Sequence, residues 1–488
     1  MNANYRITIL LLCLMLQGMT RLAAIELKHR ELDTTNGLPS NYIISMVQDP
    51  LGFVWLATDN GLCRYDGYFV ETFRHSEQGN NALLLSNKLR ELHQNPHNGL
   101  LFIRLQGEYF SCYDTHRRRF IDYNGSLPND RNYSSCHVTR TGDSWLWYKG
   151  KGAGCLEVKY QDGEVKATEY SRENGSLKSD NIRFIREDSH GNIWIATDKA
   201  LYAKTANSIG GLKTVIEKYI SYMAELDGKI YLTSTDGHIY TVGPNLTTER
   251  LKTNAKSLSP TGLIPYQGQL LVVTPQKTFR VNPTTGEISS FHIEMGGQAV
   301  FTDDSGNYYM NDLKGRLHYF DLRRNAIYHF DVLETNLINK PDTHPISVTT
   351  DANGYIWIIT KGNGFFIYDP TASQLQHFSP REKGVSPIET DYIQAIMNDR
   401  SGNIWISQEN MGISILSTMP RGITRLFVDD GLTPNYSNFF RMVRQTADGR
   451  LWAGNFTGDA YQVNVNPPTI NHQLSTINHH PSSPSTSV

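Results

Sequence analysis

The chain has 488 residues, 39% of them apolar and 39 of them glycine, which excludes wholesale disorder and a small disulfide-stapled scaffold and supplies enough material for real cores. With 46 Lys and Arg against 48 Asp and Glu, the net charge of -2 offers no basic field to hold a phosphate backbone, so no nucleic-acid partner is expected. Aromatics reach 11%, and Ile, Val, Thr and Tyr recur between Gly and Asn turns, the pattern of an all-β chain.

The chain opens with Arg6, the run Ile7 to Leu16 and the small-residue stretch Leu22-Ala23-Ala24, in the order of a secretory signal. That run is far short of the ~20 residues that span a bilayer, and Leu12 before Cys13 does not suit a lipoprotein signal. Residues 1–24 are therefore expected to be a cleaved Sec signal, leaving a periplasmic chain with no membrane span. Cys63, Cys112, Cys136 and Cys155 follow, without zinc spacing or a C-x-x-C pair, and are read as buried free thiols rather than bridges.

A phrase then repeats along the chain. Asp49-x-x-Gly52-x-x-Trp55 returns at Asp188 to Trp194, Asp351 to Trp357 and Asp399 to Trp405, and Gly449-x-x-Trp452 lacks only the Asp. Weaker copies keep a glycine and a large residue three positions on, at Gly99, Gly142, Gly228, Gly268 and Gly306, giving ten copies spaced by roughly 37 to 49 residues. The phrase predicts a hairpin: the Asp carboxylate accepts N–H bonds from the turn, the Gly takes positive φ, and the next strand begins. With a third strand such as Gly61 to Asp66 and a fourth such as Phe69 to Phe73, each copy makes a four-stranded propeller blade. Trp55, Trp145, Trp194, Trp357, Trp405 and Trp452 share one repeat position and are read as blade-on-blade core, whereas Trp147 falls outside that register. From Asn466 onward the chain is Pro, Ser, Thr, Asn and His, ending in a low-complexity tail over 466–488 read as disordered, its His479-His480 pair read as solvated.

Together with Gly37-Leu38-Pro39-Ser40-Asn41 and its echo at Gly431 to Asn435, the whole pattern from Asp49 to Leu62 closely resembles the two-component regulator propeller repeat. The resemblance runs from about Ile25 to Val465. It implies the periplasmic sensor half of a hybrid two-component system of gut Bacteroidetes, a family whose members are similar to two consecutive seven-bladed propellers followed by a β-sandwich, a membrane helix, a kinase, a receiver and a DNA-binding module. On that layout the ten copies are expected to form one seven-bladed ring over 25–335, sealed by Ile25 to Asp33 pairing in the blade of Gly306, and three blades of an incomplete second propeller over 336–465. With no kinase or output module after them, a truncated gene product is the expected reading. The open blades should leave Trp452 more exposed than Trp55 or Trp194 and offer a face to a second copy or a docking partner.

No H-E-x-x-H, G-x-S-x-G or Walker loop is present, so no catalytic residue, metal ligand or cofactor is expected. The turns between second and third strands should converge on the channel mouth, which makes Asp59, Asn60, Gln106, Lys149, Lys151, Asp198, Lys199, Asp236, Lys277, Asp312 and Lys314, with Trp147, the candidate ligand-binding residues. The expected function is a non-catalytic carbohydrate sensor. An exported polysaccharide hydrolase or lyase and a protein-binding propeller are the alternatives.

Overall fold

In a computed structural model of the chain, the ten repeats form ten four-stranded antiparallel sheets, the ninth completed by an N-terminal strand. The structure describes residues 25, 27–418 apart from 79–82, 108–109, 123–134, 148–152, 207–210, 255–257, 292–295, 298, 304, 313, 333–346 and 382–385, then 440–463 apart from 447, 449, 457 and 459, and 475–476. The expected signal at 1–24 lies outside them. Two compact units divide the chain, residues 1–418 and 419–488. Among the described residues there is no α-helix, and no helix is long and apolar enough to cross a membrane.

Blade one has strands Ile43–Gln48, Val54–Thr58, Gly61–Tyr65 and Val70–Phe73. The first strands of the next eight blades are Leu89–Gln94, Ser135–Val138, Ile182–Glu187, Ile220–Leu226, Gly262–Tyr266, Phe301–Thr302, Ser347–Thr350 and Ile393–Asn398. Along each second strand both faces are buried, because each blade lies between two others; Val54 to Thr58 and Ile193 to Thr197 are buried at every position. Apolar side chains of neighbouring blades form nine separate cores, one per interface, and the ninth joins Met397, Trp405 and Ile413 of blade nine to Ile43, Met46 and Leu56 of blade one.

The first unit is thus a closed ring of nine. Its seam is the strand Lys28–Leu32, which pairs antiparallel with Gly412–Ser417, Leu32 opposite Ile413. Arg400 reinforces it: its backbone N–H and Nε donate to Gln48 Oε1 at 2.9 and 3.2 Å, and its guanidinium also reaches the Pro50 and Asp49 carbonyls. The seven-bladed ring over 25–335 with three blades over 336–465 is corrected by these contacts. Blade seven has its own fourth strand, Ala326–Phe330, and needs no donor; blade nine has only three of its own, so the N-terminal strand completes it. Limited proteolysis should therefore leave a resistant core that runs to about Thr418; a core ending near Val332 would contradict the nine-membered ring. The tenth sheet, with first strand Phe440–Gln445, belongs to the second unit, and Ser475–Thr476 pairs there as its fourth strand instead of lying in a structureless tail. The rest of 466–488, His479 and His480 included, lies outside the described residues.

The repeated Asp does more than hold its turn. Asp188 Oδ1 accepts the N–H groups of His190 and Asn192, while Oδ2 accepts the Trp194 indole N–H at 2.9 Å. Asp49, Asp351 and Asp399 repeat this with Trp55, Trp357 and Trp405 at 2.7 to 2.9 Å. One carboxylate therefore satisfies two turn donors and the polar atom of a buried aromatic ring, which can then pack between blades without an orphaned N–H. Blade seven replaces the tryptophan with Tyr309, and the Asp303 carboxylate takes the hydroxyl of Tyr319 instead. Trp55, Trp145, Trp194, Trp357 and Trp405 are at most 3% exposed, and Trp452 is half-buried, as expected. The motif threonine closes the opposite turn, Thr58 Oγ1 donating to the Gly61 carbonyl at 2.7 Å and Thr197 Oγ1 to that of Ala200 at 3.0 Å.

Gly402 has φ of 81°, the left-handed value its turn requires. Gly402→Val should cost roughly 1–3 kcal/mol, because a β-branched side chain is strained there; an unchanged denaturation midpoint would remove the argument. The four cysteines outside the N-terminal segment are free, three of them buried, and burial pushes all four thiols up, Cys63 to about 12. They pack as small apolar groups, in line with the reading from spacing.

Candidate functional site

In each described blade the hairpin between second and third strands lies on the face opposite the Asp-x-x-Gly turns, and the described candidate residues occupy these hairpins, except Trp147, which ends the strand Ser144–Trp147. Asp59 and Asn60 are exposed, and the Asn60 amide donates to the Pro39 carbonyl at 3.1 Å. Gln106 and Asp198 use their backbone N–H groups to bond Lys88 and Asn181 at the foot of their own first strands, and the Asp198 carboxylate accepts the Asn181 amide at 3.3 Å. Lys199 and Lys314 are exposed, and Lys277 lays its ammonium over the Phe279 ring at 4.8 Å. Lys149 and Lys151 lie outside the described residues.

Two of the acids are occupied by the protein itself. Asp236 takes the Lys218 ammonium at 2.9 Å, the Tyr240 hydroxyl at 2.7 Å and the His238 N–H. Burial alone would raise its carboxyl, but these bonds outweigh burial and hold it at about 2. Asp312 accepts the N–H groups of Lys314 and Arg316, and its other oxygen meets His318 Nε2 at 3.2 Å. Trp147 is 8% exposed, packed in the core between blades three and four, so its ring is not a stacking platform.

The first strands carry groups the turn-based reading passed over. Across the first hairpin of each blade, one residue stands opposite the large motif residue: Val47 opposite Trp55, His93 opposite Phe102, His137 opposite Trp145, Arg186 opposite Trp194, Ala224 opposite Tyr231, Ile264 opposite Leu271, Phe301 opposite Tyr309, Thr349 opposite Trp357 and Met397 opposite Trp405. This register could have been found by aligning the repeats on the residue two before each motif Asp. It varies from blade to blade while the residue opposite stays large: Val47 and Met397 add to the interblade cores, whereas Arg186 and Phe301 are exposed.

Arg186 and Phe301 from this register help to line a cavity of about 270 Å³ with Tyr222, Met223, Leu263 and Tyr308. Phe301 is 52% exposed and lies nearly parallel to Tyr309, centroids 5.5 Å apart. Burial raises the Tyr308 and Tyr222 phenols, with Arg186 pulling both back, so they stand as neutral hydroxyls. First-strand bulges recur beside this register, for example between Ile182 and Phe184 and between Ile220 and Tyr222, and re-aim the side chains that follow.

Burial lowers His93, His137, His318 and His329, and His318 Nδ1 stands 2.7 Å from His329 Nδ1, room for one shared proton. The sign follows. The folded chain favours neutral imidazoles, while unfolded histidine takes up its proton near pH ~6.5. Stability present above that pH should fall as pH drops below it. Melting temperature against pH checks this, and His318→Gln should flatten the slope. Among the described residues no three His, Cys, Asp or Glu side chains are placed to hold a metal ion.

Fold and cavity together define an all-β propeller of four-stranded sheets around a channel. Two of its repeats, residues 37–60 and 176–199, match the Two component regulator propeller family, and the chain carries that repeat. It is similar to the extracellular domain of a one-component system of B. thetaiotaomicron, at 16% identity and TM-score 0.34 over 90% of this chain and 59% of that one. It is similar to the extracellular domain of a hybrid two-component system of the same organism, at 18% identity and TM-score 0.23 over 94% and 74%, and to streptogramin B lyase, at 13% and 0.35 over 80% and 97%. The chain thus spans under two thirds of the first of these. No curated protein matches it.

Proposed function

We propose that the chain is a non-catalytic periplasmic sensor propeller that binds an oligosaccharide at its channel, as the input region of a regulatory system does. The regulator-propeller repeat at residues 37–60 and 176–199 carries this reading. The export-type N-terminus supports the compartment, and the aromatic and hydroxyl groups of the channel cavity suit a sugar. A second copy docking through the tenth sheet belongs to the same proposal, since Met442, Val443 and Phe456 are more than half exposed. Calorimetry of the purified chain with glycan fragments should give saturable heats, with no new reducing ends in the mixture. Accumulating reducing ends or unsaturated products would sink the non-catalytic reading in favour of a polysaccharide-degrading enzyme.

A further inference from the structure

Arg186 is a cation without a carboxylate partner among the described residues. Its one hydrogen bond there runs from Nη1 to the Met223 carbonyl at 2.9 Å, which leaves the rest of its donor fork for a ligand. Acids on this strand and on the first strand of the next blade are engaged elsewhere. Glu187, adjacent on the strand, accepts the Arg140 N–H at 2.9 Å, and Glu225 accepts the Ser189 N–H at 2.8 Å. Arg183 adds a second cation near Tyr222, its guanidinium 4.1 Å over the Tyr219 ring, so the local field is positive. Arg186 is open to solvent, yet protein encloses it closely enough for desolvation to lower its guanidinium, the setting of a charge that lines a channel. An enclosed cation of this kind gains from an anion far more than a surface one does, because water screens the pair poorly.

We infer that the cavity beside Arg186 binds a single carboxylate-bearing sugar ring, such as the end of an acidic oligosaccharide. The inference rests on the proposed reading of the channel as the ligand site. The guanidinium fork matches the two oxygens of a carboxylate. The exposed face of Phe301 receives the C–H face of a pyranose, and the Tyr222 and Tyr308 phenols meet its hydroxyls. At about 270 Å³ the cavity is near the lower edge of the ~300–1,000 Å³ usual for small-molecule pockets, so it takes one ring and leaves any further chain in the channel.

The test is calorimetry of the full chain with three probes: glucuronate, glucose and benzoate. Glucuronate should bind and glucose should not. Arg186→Gln should weaken glucuronate roughly 10- to 100-fold, the loss of a charge-assisted contact. Arg186→Lys should restore part of it, and Phe301→Ala should weaken it through the exposed ring, with unchanged melting showing that all three variants fold. Glucose binding as well as glucuronate, unmoved by Arg186→Gln, would overturn the acidic preference and leave the sugar sensor standing. Benzoate binding in place of glucuronate would keep an anion site and overturn the sugar ring. Failure of glucuronate to bind the unaltered chain overturns the inference, and binding of other glycans by that same chain would then show that the sensor reading survives it.

Discussion

Replacing Asp188 by alanine will destabilise the ring by about 3 kcal/mol. The carboxylate is 3% exposed and serves four donors: the N–H groups of His190 and Asn192, the Asn192 amide and the Trp194 indole. Alanine would leave the indole N–H without its acceptor between blades four and five, where Trp194 is 2% exposed. An unmade buried bond costs roughly 1–3 kcal/mol by itself, and the turn loses its carboxylate acceptor as well. Chemical denaturation reads the loss. A double-mutant cycle isolates its cause: in a Trp194→Phe background, which has no indole N–H, Asp188→Ala should cost less by about 1 kcal/mol. Equal costs in both backgrounds would mean that the carboxylate acts on the turn alone.

The repeat was legible in the sequence because it is a hairpin whose parts are chemically obligatory. Asp, Gly and aromatic recur at fixed offsets, and ten copies became ten sheets. The link from Asp to Trp was not seen, although the offset of six residues, which sets Asp and Trp side by side across a tight hairpin, was in view. The number of blades in the ring was not legible either. Repeat spacing is a property of each blade, whereas ring size depends on which blade lacks an outer strand, and that is settled at Gly412–Ser417, whose blade has only three strands of its own. The alternating Lys28 to Leu32 could pair with any such edge; its partner was chosen here from the family's usual seven and not from the blades themselves. For the site, turn polarity was a weak guide, since Asp236 and Asp312 are polar in order to hold their own loops. Arg186 was hidden for the opposite reason: it sits inside a strand, where a charged residue reads as a solvated face unless the repeats are aligned on the residue two before the Asp.

The seam of the ring gives the second large effect, and Gly412 is the place to test it. Its φ is 83°, its N–H donates to the Asn41 carbonyl of blade one at 3.1 Å, and a β-carbon there would stand 2.6 Å from the Leu32 carbonyl of the closing strand. Gly61 makes the equivalent bond from blade one to Asn87 of blade two, and its own β-carbon would crowd the Phe73 carbonyl of the fourth strand. The two positions thus differ in one respect. At Gly61 the crowded strand is joined to its blade by a short hairpin; at Gly412 it is the N-terminal strand, distant in sequence and held to blade nine by pairing and by the burial of Leu32. Gly412→Val should push Lys28–Leu32 away from its partner, expose the edge Gly412–Ser417 and uncover Ile413 in the ninth core. With strain at positive φ, lost pairing and the exposure of Leu32, the expected cost is about 4 kcal/mol or more. Deleting residues 25–33 should have a similar effect, and a synthetic peptide of those residues added to the deleted chain should restore much of the lost stability, because the empty edge accepts any strand of that pattern. Hydrogen exchange locates the change. Loss of protection confined to blades nine and one would fit a seam opened at one place, whereas full protection in the deleted chain would mean that the ring closes without its N-terminal strand.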